Sequence, residues 1–160
     1  MIRLLTNITL YIFDYFHKKK IIYFLKKLNI NSINIFFDIG AHKGESIDFF
    51  SKHLKIDKIY SFEASIKNFE QLKKKYKNDR FLCLENLALS SKKTKKIFNQ
   101  CDESSPSTFS EINTKSKYLK KKLQFLNIKK PNDFFKKVSI KTDTLDNYII
   151  KKKIFLIDLI

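Results

Sequence analysis

From residue 33 onward the apolar positions change period several times. INIFFDI (33–39) is a short, unbroken apolar run rich in β-formers, the pattern of a strand buried on both faces. Ile47, Phe50 and Leu54 then recur at helical spacing. A second β-rich run, KIYSFEA (58–64), follows. Ser65 suits a helix N-cap, and Ile66, Phe69, Leu72 and Tyr76 mark another amphipathic helix. RFLCLENLAL (80–89) reads as the third strand. Strand, helix, strand, helix, strand at this spacing predicts an open α/β fold: a parallel sheet with right-handed crossovers.

Two segments fall outside that alternation. Near the start, Leu5, Ile8, Ile12 and Phe16 recur at helical spacing, and Ile21, Phe24, Leu25 and Leu28 continue the stripe. Residues 1–30 therefore read as a helical extension and 33–160 as the domain proper. The helix, residues 2–28, is expected to pack on the domain through Leu5, Ile8, Ile12 and Phe16; its rival role is a basic aromatic helix on an anionic membrane surface. No apolar run reaches transmembrane length, and no small-residue cleavage site follows the apolar start. Residues 99–137 form the second exception. NQCDESSPSTFSE is a polar loop, and YLKKKLQFLNIKKPNDFF is a helix ending before Pro131. Between strands at the open end of a sheet, such an insertion is either a substrate lid or a surface excursion.

Length and composition narrow the picture further. At 160 residues the chain is one domain, and 43% hydrophobic residues make it globular. Cys83 and Cys101 fit neither a metal spacing nor a disulfide framework. They read as a buried small side chain and a loop thiol, with a cytoplasmic setting as the default. The net charge of +17 invites nucleic acid as a partner. Yet only Arg3 and Arg80 are arginines, the preferred fork for phosphates and base edges, and the lysines are spread along the chain. They read as solvated faces.

Both glycines of the chain, Gly40 and Gly44, fall in FFDIGAHKGES (36–46), after the first predicted strand. Open α/β sheets bind ligands outside the carboxyl ends of their strands. Asp38 ends the strand, either facing a ligand or capping the helix, and Gly40 permits the sharp turn. Gly44 opens the helix, where a missing side chain lets backbone approach a ligand. Glu63 ends the second strand 25 residues after Asp38. A carboxylate there accepts from both hydroxyls of a ribose. Gly44 is followed by Glu45 and Ser46 rather than the Lys-Ser/Thr of a phosphate loop, and Ala41, His42 and Lys43 separate the glycines too widely for a dinucleotide fingerprint. A cofactor with a ribose, no phosphate and a cationic end remains, a description that S-adenosylmethionine answers.

FFDIGAHKGES, IYSFEAS, ENLALSS, SSPSTF, VSIKTDTLDNYI and the terminal FLIDLI stand in the order found in FkbM-like methyltransferases, which the chain resembles from about residue 34 to its end. These are class I, S-adenosylmethionine-dependent enzymes. The resemblance implies a Rossmann-like sheet with helices on both faces. It puts Asp38 and Gly40 against the methionine part of the cofactor, with Ala41, His42 and Gly44 in the same turn. It puts Glu63 on the ribose diol with Ala64 and Ser65 beside it, and Asn86 and Leu87 near the adenine edge. Asp158 matches the acidic residue ending the family's fourth strand, facing the reactive methyl group. Where the family commonly has Asn in the glycine turn, this chain has His42.

The implied reaction is methylation of a hydroxyl on a glycan, glycolipid or secondary metabolite. Asp158 and His42 are the candidates for orienting or deprotonating it; His17 and His53 are the other histidines. No metal is expected. Two alternatives stay open: an RNA-modifying methyltransferase, and a truncated non-catalytic remnant. The second arises because the family continues past the fourth strand with a Val-Glu-Gly-like turn and further strands, so the sheet is expected to be truncated at Ile160.

Overall fold

The structure is a computed structural model that describes residues 2–101, 107–128 and 130–160. Its centre is β1 (Ser32–Ile39), flanked by β2 (Lys55–Phe62) in parallel register, with Phe36 opposite Ile59 and Asp38 opposite Ser61. β3 (Leu82–Glu85) adds to β2, again in parallel. On the other side of β1 the end of the chain approaches in parallel, Leu159 beside Phe36. The result is a mixed α/β fold with a parallel sheet and helices, compatible with a Rossmann-like arrangement.

Adjacent β1 residues feed opposite cores, because strand side chains alternate. Phe36 packs with Ile33, Ile47, Phe50, Leu54, Ile59 and Leu72, under α2 (Glu45–His53) and α3 (Ile66–Lys75). Phe37, fully buried, packs with Phe62, Tyr148 and Ile154 on the side of the C-terminal helix Leu145–Lys152. Ser65 caps α3 by accepting from the Asn68 amide at 3.4 Å. Ile66, expected on the buried stripe, is 62% exposed, leaving Leu72 as the buried anchor of that helix.

The third expected strand is two strands. It breaks at Asn86, whose side-chain amide donates to the carbonyls of Glu63 (2.9 Å) and Ala64 (3.3 Å) instead of continuing the ladder. Beyond it β4 (Ala88–Leu89) joins a second sheet, with β5 (Thr94–Cys101) and β6 (Phe135–Asp143) in the order β4-β6-β5. β5 and β6 pair antiparallel over their whole length. Between them lie the helices α4 (Lys117–Phe125) and α5 (Pro131–Phe134). The helix Leu145–Lys152 is then α6. The 99–137 insertion is thus held by two strands that sequence reading missed, because lysines interrupt their alternation. Residues 102–106 of the polar loop lie outside the described residues. Cys101, expected in that loop, is buried with Leu119, Leu123 and Phe134, while Cys83 is half-buried in β3.

The N-terminal helix, α1 (Ile2–Lys27), does not use the face expected of it. The side chains of Leu5 and Ile8 lie outside the described residues. Ile12 is 45% and Phe16 56% exposed. Ile22 makes the contact instead, buried against the cluster of Ile33, Ala41 and Phe50, with Leu25 beside it. No described helix is long and apolar enough to cross a membrane.

Candidate functional site

The glycine turn leaves β1 and folds back onto the end of β2. The amides of Gly40 and Ala41 both donate to the Phe62 carbonyl, at 2.8 and 3.1 Å. Gly40 has φ +86°, which L-residues with a Cβ resist, and a Cβ placed there would meet nothing within 4 Å. The space above it is open. Gly44, φ +84°, is different: a Cβ there would lie 2.3 Å from the Tyr76 hydroxyl oxygen. Its missing side chain admits Tyr76, not a ligand, which corrects the expected role. Tyr76 donates to the Gly44 carbonyl and to Asp48 Oδ1 (3.0 and 2.7 Å). Lys75 donates to the Lys43 carbonyl at 3.0 Å and pairs with Asp48, so the end of α3 fastens the turn to α2.

Glu63 is the second fastening. One carboxylate oxygen accepts from the His42 amide and the other from the Ser65 amide, both at 2.7 Å. It ties the glycine turn to the turn after β2 while only 7% exposed. Each oxygen keeps a further lone-pair direction for a ligand hydroxyl. Asn86 holds the same stretch from β3 through the Glu63 and Ala64 carbonyls.

Asp38 Oδ2 and His42 Nε2 are buried at this turn with no hydrogen-bond partner within 3.5 Å among the described residues, as is Ser61 Oγ on the residue opposite Asp38. Burial pushes the Asp38 carboxyl up to about 6; Lys18 of α1 works against this, the Glu45 and Glu63 carboxylates add to it, and the Ser61 hydroxyl still lowers it. For Glu45 burial is outweighed by the His42 side chain and by backbone amides, its own and that of Lys43, which hold it down to about 2. The His42 Nδ1–Glu45 Oε1 separation is 3.0 Å. If Nδ1 carries the proton shared with the carboxylate, Nε2 is a free acceptor. His42 itself sits at φ +50°, a left-handed conformation that Asn adopts more readily than most residues.

Asp38, Gly40, Ala41, His42, Glu63, Ser65 and Asn86 therefore converge at the carboxyl ends of β1–β3. Ala64 packs instead toward Ala88, Phe98 and Ile140, and Leu87 toward Phe37 and Phe62. Asp158 does not join them. Its Oδ2 accepts from the Asn34 and Ile35 amides (2.9 and 2.8 Å), at the amino-terminal half of β1. Four residues of strand, about 13 Å, separate Ile35 from Ile39. The parallel register at Phe36 leaves Asp158 too early along the sheet to face the turn. Sequence reading missed Tyr76, Asp48 and Glu45 as supports of the turn. Tyr76 looked like one more member of an apolar stripe. A separate open groove of about 900 Å³ on β5 and β6, lined by Ile97, Asn99, Phe109, Phe135 and Lys136, includes none of the predicted site residues.

No family model matches the chain, and no curated protein does. Among solved structures, methyltransferase FkbM from Methylobacillus flagellatus KT is similar. The two are 13% identical with a TM-score of 0.40, over 73% of this chain and 23% of that one. The chain spans about a quarter of that protein, and any reading of activity rests on the geometry of the turn.

The raised carboxyl of Asp38 has a cost in stability. Between about pH 4, its unfolded value, and about 6, the folded chain binds the extra proton. Stability contributed by the protonated group is present below that window, falls across it and is level above. A shift of about two units corresponds to roughly 3 kcal/mol, an upper bound on the cost. Asp38→Asn should therefore melt higher than the parent at pH 7 and nearly level with it at pH 4. Paired thermal melts at the two pH values check it. A parent and variant that differ equally at both would show that Asp38 carries no such burden.

Proposed function

We propose that the turn binds S-adenosylmethionine and that the chain serves as a methyltransferase acting on a hydroxyl group. The observation that supports this most directly is Asp38 Oδ2, buried without a hydrogen-bond partner among the described residues two positions before Gly40, whose own Cβ direction is open. A cationic group fits there and a phosphate does not, since Glu45 and Glu63 add two more carboxylates to the same turn. Asp38 would hold the ammonium of the methionine end, and Glu63 would accept the ribose hydroxyls on its remaining lone pairs. Asn86 would keep the Glu63–Ala64 backbone in place beneath the adenosine. The bound cofactor supplies an electrophilic methyl group on a sulfonium, so the protein's tasks are positioning and removal of one proton.

With Asp158 at the other end of β1, His42 is the side chain at the turn suited to take that proton. Glu45 orients its ring, and Nε2 is left to accept. A glycan or glycolipid hydroxyl is the acceptor class we favour. His42→Asn, the residue most at home at this φ, should leave cofactor affinity within about threefold and lower turnover by about a hundredfold, the usual range for losing a general base. Turnover unchanged in His42→Asn would remove it from the proton's path.

Calorimetric titration with S-adenosylmethionine tests the central proposal. Affinity should rise from pH 5 to pH 7 with a break near 6 as Asp38 ionises, and the break should vanish in Asp38→Asn. ATP and NAD should not bind. A folded protein indifferent to S-adenosylmethionine across this range would overturn the reading.

A further inference from the structure

We infer that α1 is an interfacial helix that rests on an anionic lipid surface. The inference does not depend on the reading of the glycine turn. Ile22 and Leu25 face the domain, and Tyr15 meets the Phe49 ring edge-on at 5.8 Å. From residue 11 onward most of the remaining circumference is exposed and rich in apolar side chains. Phe13, Phe16, Tyr23 and Phe24 are 61, 56, 71 and 59% exposed, with Ile21 and Leu28 also in solvent. At 100° per residue these side chains spread over the outward half of the helix, not along one narrow seam.

What covers such a surface is decided by the lysines among the rings. Lys20 and Lys27 are exposed on the same outward half, and Lys19 and Lys26 are exposed at its flanks, nearer the Ile22 side. The sole acidic residue of the helix, Asp14, is already paired with Lys18 at 2.7 Å. In a dry protein interface these ammonium groups would be buried without counter-charges, which is strongly unfavourable. At a lipid interface the rings enter the acyl boundary while the long lysine stems carry their charges up to the headgroup phosphates. Aromatic rings and lysines interleaved on one exposed helix therefore match an anionic bilayer better than a second protein. Lying flat, the 26-residue helix would cover about 39 Å of membrane.

The chain contains no tryptophan, so Phe24→Trp gives a single reporter on the exposed side. Vesicles of phosphatidylcholine mixed with phosphatidylglycerol should shift its emission to the blue and co-sediment the protein. Vesicles of phosphatidylcholine alone should do neither, and added salt should reverse the effect. Replacing the outward Lys20 and Lys27 by Gln should lower partitioning by about tenfold or more. Phe13→Ser with Phe16→Ser should lower it further while the circular dichroism spectrum is retained. If that pair unfolds the protein, the reporter and the lysine variant still decide. Three results would overturn the inference: equal binding to neutral vesicles, a reporter already buried by self-association without lipid, or tighter binding to an RNA homopolymer than to anionic vesicles.

Discussion

Glu63→Gln is expected to weaken S-adenosylmethionine binding by tenfold to a hundredfold and also to lower stability by about 2 kcal/mol. Both effects come from the same two oxygens. In the parent each accepts one backbone amide at 2.7 Å, from His42 and from Ser65. A glutamine offers one oxygen and one NH₂, so whichever way it turns, a donor faces a donor. One clamp is lost and one amide is left unsatisfied, and hydrogen bonds to a charged group contribute about 1.5 to 3 kcal/mol each. For a chain of this size that amounts to a fall of about 6 °C in Tm. The ribose loses an acceptor at the same time, and each 1.4 kcal/mol lost is about one decade of affinity. Glu70→Gln is the control: that side chain is half-exposed on α3, with a loose pair to Lys73 at 3.7 Å, and should change neither quantity. Melting and calorimetry on the same preparations separate the two roles. A lower Tm with undiminished affinity would leave Glu63 as a clamp of the turn and withdraw it from the ribose.

Gly44→Ala should be more damaging to the fold, by about 3 to 5 kcal/mol, and Gly40→Ala much less. Both glycines have positive φ, so both substitutions carry backbone strain of about 1 kcal/mol or somewhat more. Only at Gly44 does the new methyl collide. It would lie 2.3 Å from the Tyr76 hydroxyl oxygen and 2.8 and 2.9 Å from two ring carbons. The ring must then move, giving up its bonds to the Gly44 carbonyl and to Asp48. The effects should not add, since neighbours in contact couple. In a Tyr76→Ala background Gly44→Ala should cost only the strain. Denaturant unfolding of the four proteins measures the coupling, and equal costs in both backgrounds would show that the ring is not what demands glycine. Gly40→Ala should keep the fold but intrude into the open space over the turn, so its larger effect should appear in cofactor affinity.

These contrasts mark where the chain was legible. The β1 run, the α2 stripe and the Ser65 cap are properties of consecutive residues and sit where the periodicity placed them, whereas of the α3 stripe only Leu72 is buried. The need for glycine at positions 40 and 44 could be read in the same way, because turn conformation is local. The reasons for the two glycines could not, since one answers to open space and the other to a tyrosine 32 residues away.

What local pattern determined, then, is the order of elements from β1 to β3, the position of the glycine turn and the acidic residues around it. Tertiary structure decided the rest. Strand pairing broke RFLCLENLAL at Asn86 and assigned its halves to different sheets. The parallel register beside β1 put Asp158 on the Asn34 and Ile35 amides, far from the turn it was expected to face. The packing of α1 chose Ile22 over Ile12 and Phe16, because apolar and basic residues alternate all around this helix and no one side is marked to turn inward. Register, clamp and facing are each set by residues distant in the chain, and the free energy that selects them comes from burial and pairing formed only when the sheet assembles.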